Sequence, residues 1–132
     1  IRYVGKIKSL EKYKALPDMY KDPEEDESFV KNLFRKAINN NEENSKLIDG
    51  KTQNWEVERI AVMDVLLMKM AITEFLNFSS IPVKVTMNEY IELSKQFSTQ
   101  KSKIFINGVL DKLLAQFNRD SLIKKTGRGL MQ

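Results

Sequence analysis

The sequence predicts an all-α protein, and three observations carry that expectation. Apolar residues recur at three- and four-residue steps over residues 29–38, 60–75 and 106–117. Residues that open helices stand where those runs should begin, at Asp22-Pro23, Pro82 and Thr99. No stretch shows the two-residue alternation of a half-buried strand.

Length and charge narrow the class. The chain has 132 residues, which suits one domain and a real core. Hydrophobic content of 42% and charged content of 30% are those of an ordinary globular protein. No apolar run reaches the roughly 18 residues of a membrane span, and residues 1–10 lack the apolar stretch of a signal peptide. The chain opens on Ile1 rather than Met, so residues are expected upstream. With no Cys and no His, thiol nucleophiles, disulfides, Cys/His metal sites and imidazole chemistry are excluded. No metal and no cofactor is expected. The net charge of +4 is unevenly spread. Lys6, Lys8, Lys12 and Lys14 crowd one end and Lys101, Lys103, Lys112, Arg119, Lys124, Lys125 and Arg128 the other, around an acidic middle. Such asymmetry steers an anionic polymer to one face, or is simply the solvated side of helices.

The elements follow in order. Residues 1–20 form a basic N-terminal segment, with a short helix expected before Pro17. Asp22 as N-cap and Pro23 as first helical residue open an amphipathic helix with Phe29, Val30, Leu33, Phe34, Ala37 and Ile38, ended by Asn39-Asn40-Asn41. A short helix through Lys46-Leu47-Ile48 to Asp49 should close at Gly50. Asn54 caps a long helix expected from Trp55 to Asn77. Its apolar residues spill beyond one stripe, which marks it as the central, buried helix. Pro82 starts the next, with Val83, Met87, Tyr90, Ile91 and Phe97 inward and Ser94 allowing close approach. Thr99 or Ser102 caps the last helix, whose core stripe is Ile106, Val109, Leu110, Leu113 and Phe117. Gly108 inside it suggests close packing. The helical domain spans 21–118, and 119–132 reads as a basic, flexible tail.

No nucleotide-binding, nucleophile-elbow or calcium-loop motif is present. Glu74, Glu89 and Glu92 fall where solvated helix faces need them, so the chain reads as no enzyme. Asp64 falls within the apolar side of the central helix. It is either a satisfied buried carboxylate or a partner contact at a gap between helices. Phe105 lies off the core stripe, behind Lys101 and Lys103. An aromatic beside lysines at a helix N-terminus offers single-stranded RNA a stacking surface, cations and backbone N–H groups. The other reading, which the pattern alone favours slightly, is that the ring packs on a neighbouring helix at the rim of the core.

The stretches NWEVERIAVMDVLLMKMAITEFL, IPVKVTMNEYIELSKQFS and KIFINGVLDKLL, in that order, resemble the C-terminal half of the NusB family. The likeness runs from about Glu24 to Leu114. It is most specific at Trp55, Asp64, Glu74, Pro82, Val85, Asn88-Glu89, Leu93, Lys95, Phe97 and the run Phe105 to Asp111. The resemblance implies an all-α bundle of two small helical subdomains with no catalysis. It implies a cytoplasmic transcription antitermination factor that binds boxA-type single-stranded RNA together with the ribosomal protein NusE, and joins the RNA polymerase antitermination complex. On this chain the implied RNA contacts are Lys101, Ser102, Lys103 and Phe105, and the implied NusE contacts are Asp64 and Glu58. An arginine-rich opening helix is not recognisable in residues 1–16, and Val65 and Lys69 stand where the family often has arginine. These departures keep an alternative open: a protein-interaction module, homodimeric or scaffolding, without RNA binding. A NusB-like piece of an RNA methyltransferase would likewise be only an accessory domain.

Overall fold

The computed structural model describes residues 23–52 and 60–131. Five α-helices follow in order, and no strand occurs among the described residues: α1 (Pro23–Asn39), α2 (Asn41–Lys51), α3 (Val62–Asn77), α4 (Val83–Phe97) and α5 (Gln100–Arg119). The protein is all-α, as its periodicity predicts. No helix among the described residues is long and apolar enough to cross a membrane. The chain divides into two compact units, Ile1–Arg35 and Lys36–Gln132. The expected helix before Pro17 and the Asp22 cap lie outside the described residues.

In the first unit, α1 opens with Glu24, Glu25 and Asp26, whose carboxylates suit the positive end of the helix dipole. Its expected apolar face is two rows, of which one turns inward. Leu33 is buried with Phe29 half-buried in the same row, whereas Val30 and Phe34 of the other row are exposed.

The second unit is built around α3, which packs against α2, α4 and α5. Its core is Ile48 from α2, Leu67, Met68, Ala71, Ile72 and Phe75 from α3, Tyr90 from α4, and Ile106, Val109, Leu110, Leu113 and Phe117 from α5. The whole expected α5 stripe is therefore buried. Fully burying such side chains contributes roughly 1.5–3 kcal/mol each.

Several boundaries differ from expectation, each for a visible reason. The Asn40 side chain closes α1 by donating to the Lys36 carbonyl, 2.9 Å away, and α2 starts at once. Helix α2 runs through Gly50 because Thr52 does the closing, its hydroxyl donating to the Ile48 carbonyl at 3.0 Å. Helix α3 begins at Val62 rather than Trp55. Ala61 is extended (φ −60°, ψ 138°), which puts Asp64 in the first turn beside the positive end of the dipole. Asn54 and Trp55 lie outside the described residues. In α4, Ser94 is buried as expected, but Phe97 at the last turn is 50% exposed. Residues 120–131 are not a loose tail: Ile123 packs against the core and the Thr126 amide donates to the Ser79 carbonyl at 3.0 Å.

Glu74 is the largest departure. The sequence places it on a solvated face, yet it is buried at the α3–α4 contact. Tyr90 donates its hydroxyl to one carboxylate oxygen, and Thr86 donates to the other at 3.2 Å. Burial pushes the Glu74 carboxyl above its ordinary value, opposed by the bonds from Tyr90 and Thr86 and by the Lys125 charge. Burial, then the adjacent carboxylate, raises the Tyr90 hydroxyl, so it stays a donor.

Two predictions follow from these placements. A Cβ at Gly108 would meet nothing within 4 Å, so close packing does not explain this glycine. Gly108→Ala should raise stability by about 1 kcal/mol through helix propensity, read as a higher melting temperature. For Glu74 the folded pKa lies above the unfolded one. The unfolded chain therefore ionises first as pH rises, and the folded state loses stability from the ordinary value of 4.5 up to the raised one. Melting curves from pH 4 to 8 should show that decline in the native chain and a flatter profile in Glu74→Gln.

Candidate nucleic-acid interface

The first turn of α5 is fixed by its own residues. Thr99 is the N-cap, and it forms a reciprocal box with Ser102: the Ser102 amide donates to the Thr99 side chain, and the Thr99 amide donates to the Ser102 hydroxyl at 3.3 Å. A helix start capped this way presents its remaining N–H groups and the positive end of its dipole outward.

Asp64 ties that turn to α3. It is 5% exposed, and both of its oxygens are engaged from the α4–α5 junction. Ser98 donates its hydroxyl to one, and Ser102 donates to the other at 2.7 Å. The Ser98 and Ser102 hydroxyls also lie 2.8 Å apart. A carboxylate here sits at the N-terminal end of α3 while accepting from the first turn of α5. Among the described residues, no buried side-chain nitrogen or oxygen lacks a partner. The satisfied-carboxylate reading of Asp64 is thus the one its geometry follows.

The four residues expected to meet RNA divide in two. Lys101 and Lys103 are exposed on the first turn of α5 and form no ion pair with a described residue. Ser102, between them, is 3% exposed and turns inward to Asp64 and Thr99. Phe105 is half-buried and packs against the core, with Ile104 beside it 71% exposed. Glu58 lies outside the described residues. Lys95, on the last turn of α4, is held 3.0 Å from Glu92 in an exposed pair that contributes little.

The sequence reading missed Ser98 and the Thr99–Ser102 pair acting together. Three hydroxyls in the stretch Ser98-Thr99-Gln100-Lys101-Ser102 are the signal, because a buried carboxylate elsewhere needs donors. What the arrangement can do chemically is bind. It holds two ammonium groups and a helix N-terminus toward solvent on a rigid base, next to an aromatic edge.

Comparison with known proteins identifies the family of the chain. The family model for the NusB family matches residues 6–115. The transcription antitermination protein NusB of Salinibacter ruber is 42% identical over 103 residues, covering 78% of this chain and 64% of that protein. The protein of the same name from Chloroherpeton thalassium is 37% identical, covering 78% of this chain and 49% of its own. That from Natranaerobius thermophilus is 33% identical, covering 69% and 66%. The chain thus spans between about half and two-thirds of the length of these relatives. A solved structure of T. maritima NusB superposes with a TM-score of 0.65 at 27% identity, over 75% of this chain and 68% of that one. With its family-model match covering most of its length and its helices arranged as in a solved relative, the chain belongs to the NusB family.

Proposed function

We propose that this chain is an RNA-binding transcription antitermination factor that acts by assembly rather than catalysis. It binds boxA-type single-stranded RNA together with the ribosomal protein NusE and joins the RNA polymerase antitermination complex in the cytoplasm. The observation that carries this reading is the exposed pair Lys101 and Lys103 on the braced first turn of α5, in a chain of this family. Phosphates meet the two ammonium groups and the helix N-terminus, and a base stacks on the half-buried ring of Phe105. Ser102 serves from inside, holding the turn in place.

Asp64 supports the same surface indirectly. Both oxygens are engaged, so it orders the α4–α5 junction for RNA and for NusE rather than reaching a partner itself. Glu58 is the second NusE contact of this reading. A second reading, a protein-interaction module without RNA binding, draws on the exposed apolar residues Val62, Met63 and Leu66 that surround Asp64 in sequence.

Fluorescence anisotropy with a boxA-like RNA, with and without NusE, separates the two. Binding that weakens steeply with salt supports the RNA reading, and no binding under either condition removes it. Lys101→Gln with Lys103→Gln should make the log–log salt slope shallower by about 1.4, the expectation for two lost single-strand phosphate contacts. Phe105→Ala should weaken RNA binding by about 1–3 kcal/mol with the helical circular dichroism retained. A lost helical signal would assign the ring to the core alone. Asp64→Ala strands two hydroxyl donors and should cost about 1–3 kcal/mol of stability. It should also weaken RNA binding at temperatures where the variant remains folded, and an unchanged affinity there would remove its positioning role.

A further inference from the structure

Helix α3 brings no cation of its own to its C-terminal end. Its last turn has no basic residue, and Ser79 rather than glycine follows its C-cap, Phe78. The final carbonyls of a helix need donors and favour a cation. Local amides serve two of these carbonyls, Phe78 donating to Glu74 and Ile81 to Phe78, each at 3.2 Å, but the cation arrives from about 50 residues away. Lys125 donates its ammonium to the Phe78 carbonyl at 2.8 Å and to the Glu74 carbonyl at 3.2 Å.

The route back to α3 is built step by step. At the end of α5, Leu122 donates its amide to the Phe117 carbonyl at 2.9 Å and Ser121 donates to Asn118 at 3.3 Å, with Ser121 in the left-handed region at φ 56°. That is the reversal with which helices commonly stop, made here without glycine. Ile123 then packs against the core, and the Thr126 amide reaches the Ser79 carbonyl at 3.0 Å. The chain finishes in a 3-10 turn, Gly127–Leu130, in which Gly129 is buried. A Cβ on Gly129 would lie 1.8 Å from the Ser79 carbonyl oxygen, so only glycine lets the two backbones come this close. All of this lies beyond residue 115, where the family match ends.

We propose that residues 121–131 are a clasp, which closes over the C-terminal end of α3 and locks the α3–α4 corner. Lys125 is its cationic pin and Gly129 its seat. The charge of the same ammonium favours the ionised form of the Glu74 carboxyl, against the burial that raises it. Lys36, 5.3 Å from the centre of the Phe78 ring, covers the same corner from α1.

The test uses the full chain with three variants, amide hydrogen exchange and thermal melting. In the native chain the Thr126 amide should exchange at least about tenfold more slowly than an unprotected amide. Gly129→Ala should abolish that protection while the α5 amides stay protected. Lys125→Met should lower the melting temperature by about 2–4 °C, whereas Lys124→Met, which removes an exposed neighbouring charge, should leave it within about 1 °C. A Thr126 amide already unprotected in the native chain would overturn the proposal. So would equal effects of the two lysine variants, which would reduce Lys125 to general charge. If Gly129→Ala does not fold, the comparison of Lys125→Met with Lys124→Met decides alone.

Discussion

The second unit depends on satisfying the polar groups of a helix surrounded by its neighbours. Helix α3 has most of its length in the core, yet it carries Asp64, Thr73 and Glu74 into that core. A buried polar group without a partner costs more than a typical hydrogen bond contributes. Each of these groups therefore dictates what must lie opposite. Thr73 meets Asn44 of α2, whose side-chain amide donates to it at 3.2 Å. Glu74 meets Thr86 and Tyr90 of α4, and Asp64 meets Ser98 and Ser102 at the α4–α5 junction. Apolar burial supplies most of the stability, but it tolerates slippage of one helix against another. The directed bonds do not, so they fix the register of α2, α4 and α5 around α3.

This places the candidate RNA edge in a chain of dependence. Lys101 and Lys103 are useful to a phosphate backbone only if the first turn of α5 holds them at a set spacing. The Thr99–Ser102 box holds that turn, and Asp64 holds Ser102. The basic pair is thus on the surface, but its geometry is set by a carboxylate that solvent barely touches. Rigid support for a binding residue reduces the ordering it must undergo on association. The same logic explains why Ser102, flanked by two exposed lysines, faces the other way: helical geometry sends adjacent residues about 100° apart.

The apolar record of the sequence was the legible part. The α5 stripe, the centrality of α3, the start of α4 at Pro82 and the capping by Thr99 all follow from spacing and residue type. Polar residues were harder, because periodicity assigns a face but not a partner. Spacing alone puts Glu74 on a solvated face, since Tyr90 and Thr86 become its donors only after α4 folds back on α3. Asp64 was recognised as anomalous, but its two serine donors lie 34 and 38 residues away. Gly108 invited a packing explanation that its open surroundings do not support. The tail misled for the converse reason. Glycines among basic residues suggest looseness by composition, yet Gly129 is there because a carbonyl already occupies the place a side chain would take.

The two ends of α3 now have different tasks. Its N-terminal turn holds Asp64, through which the α5 edge is positioned, and two carbonyls at its C-terminal end accept from Lys125. Sixteen residues of helix separate these ends by about 24 Å. At that distance, perturbations that share no partner are expected to act almost independently. A change at the clasp should therefore be felt first in the stability of the α3–α4 corner, and a change at Asp64 first in the presentation of Lys101 and Lys103. The connection that remains is the rigid helix itself. Its two ends rest on separate polar contacts, so the candidate binding edge can keep its geometry while residues 121–131 strengthen the opposite end.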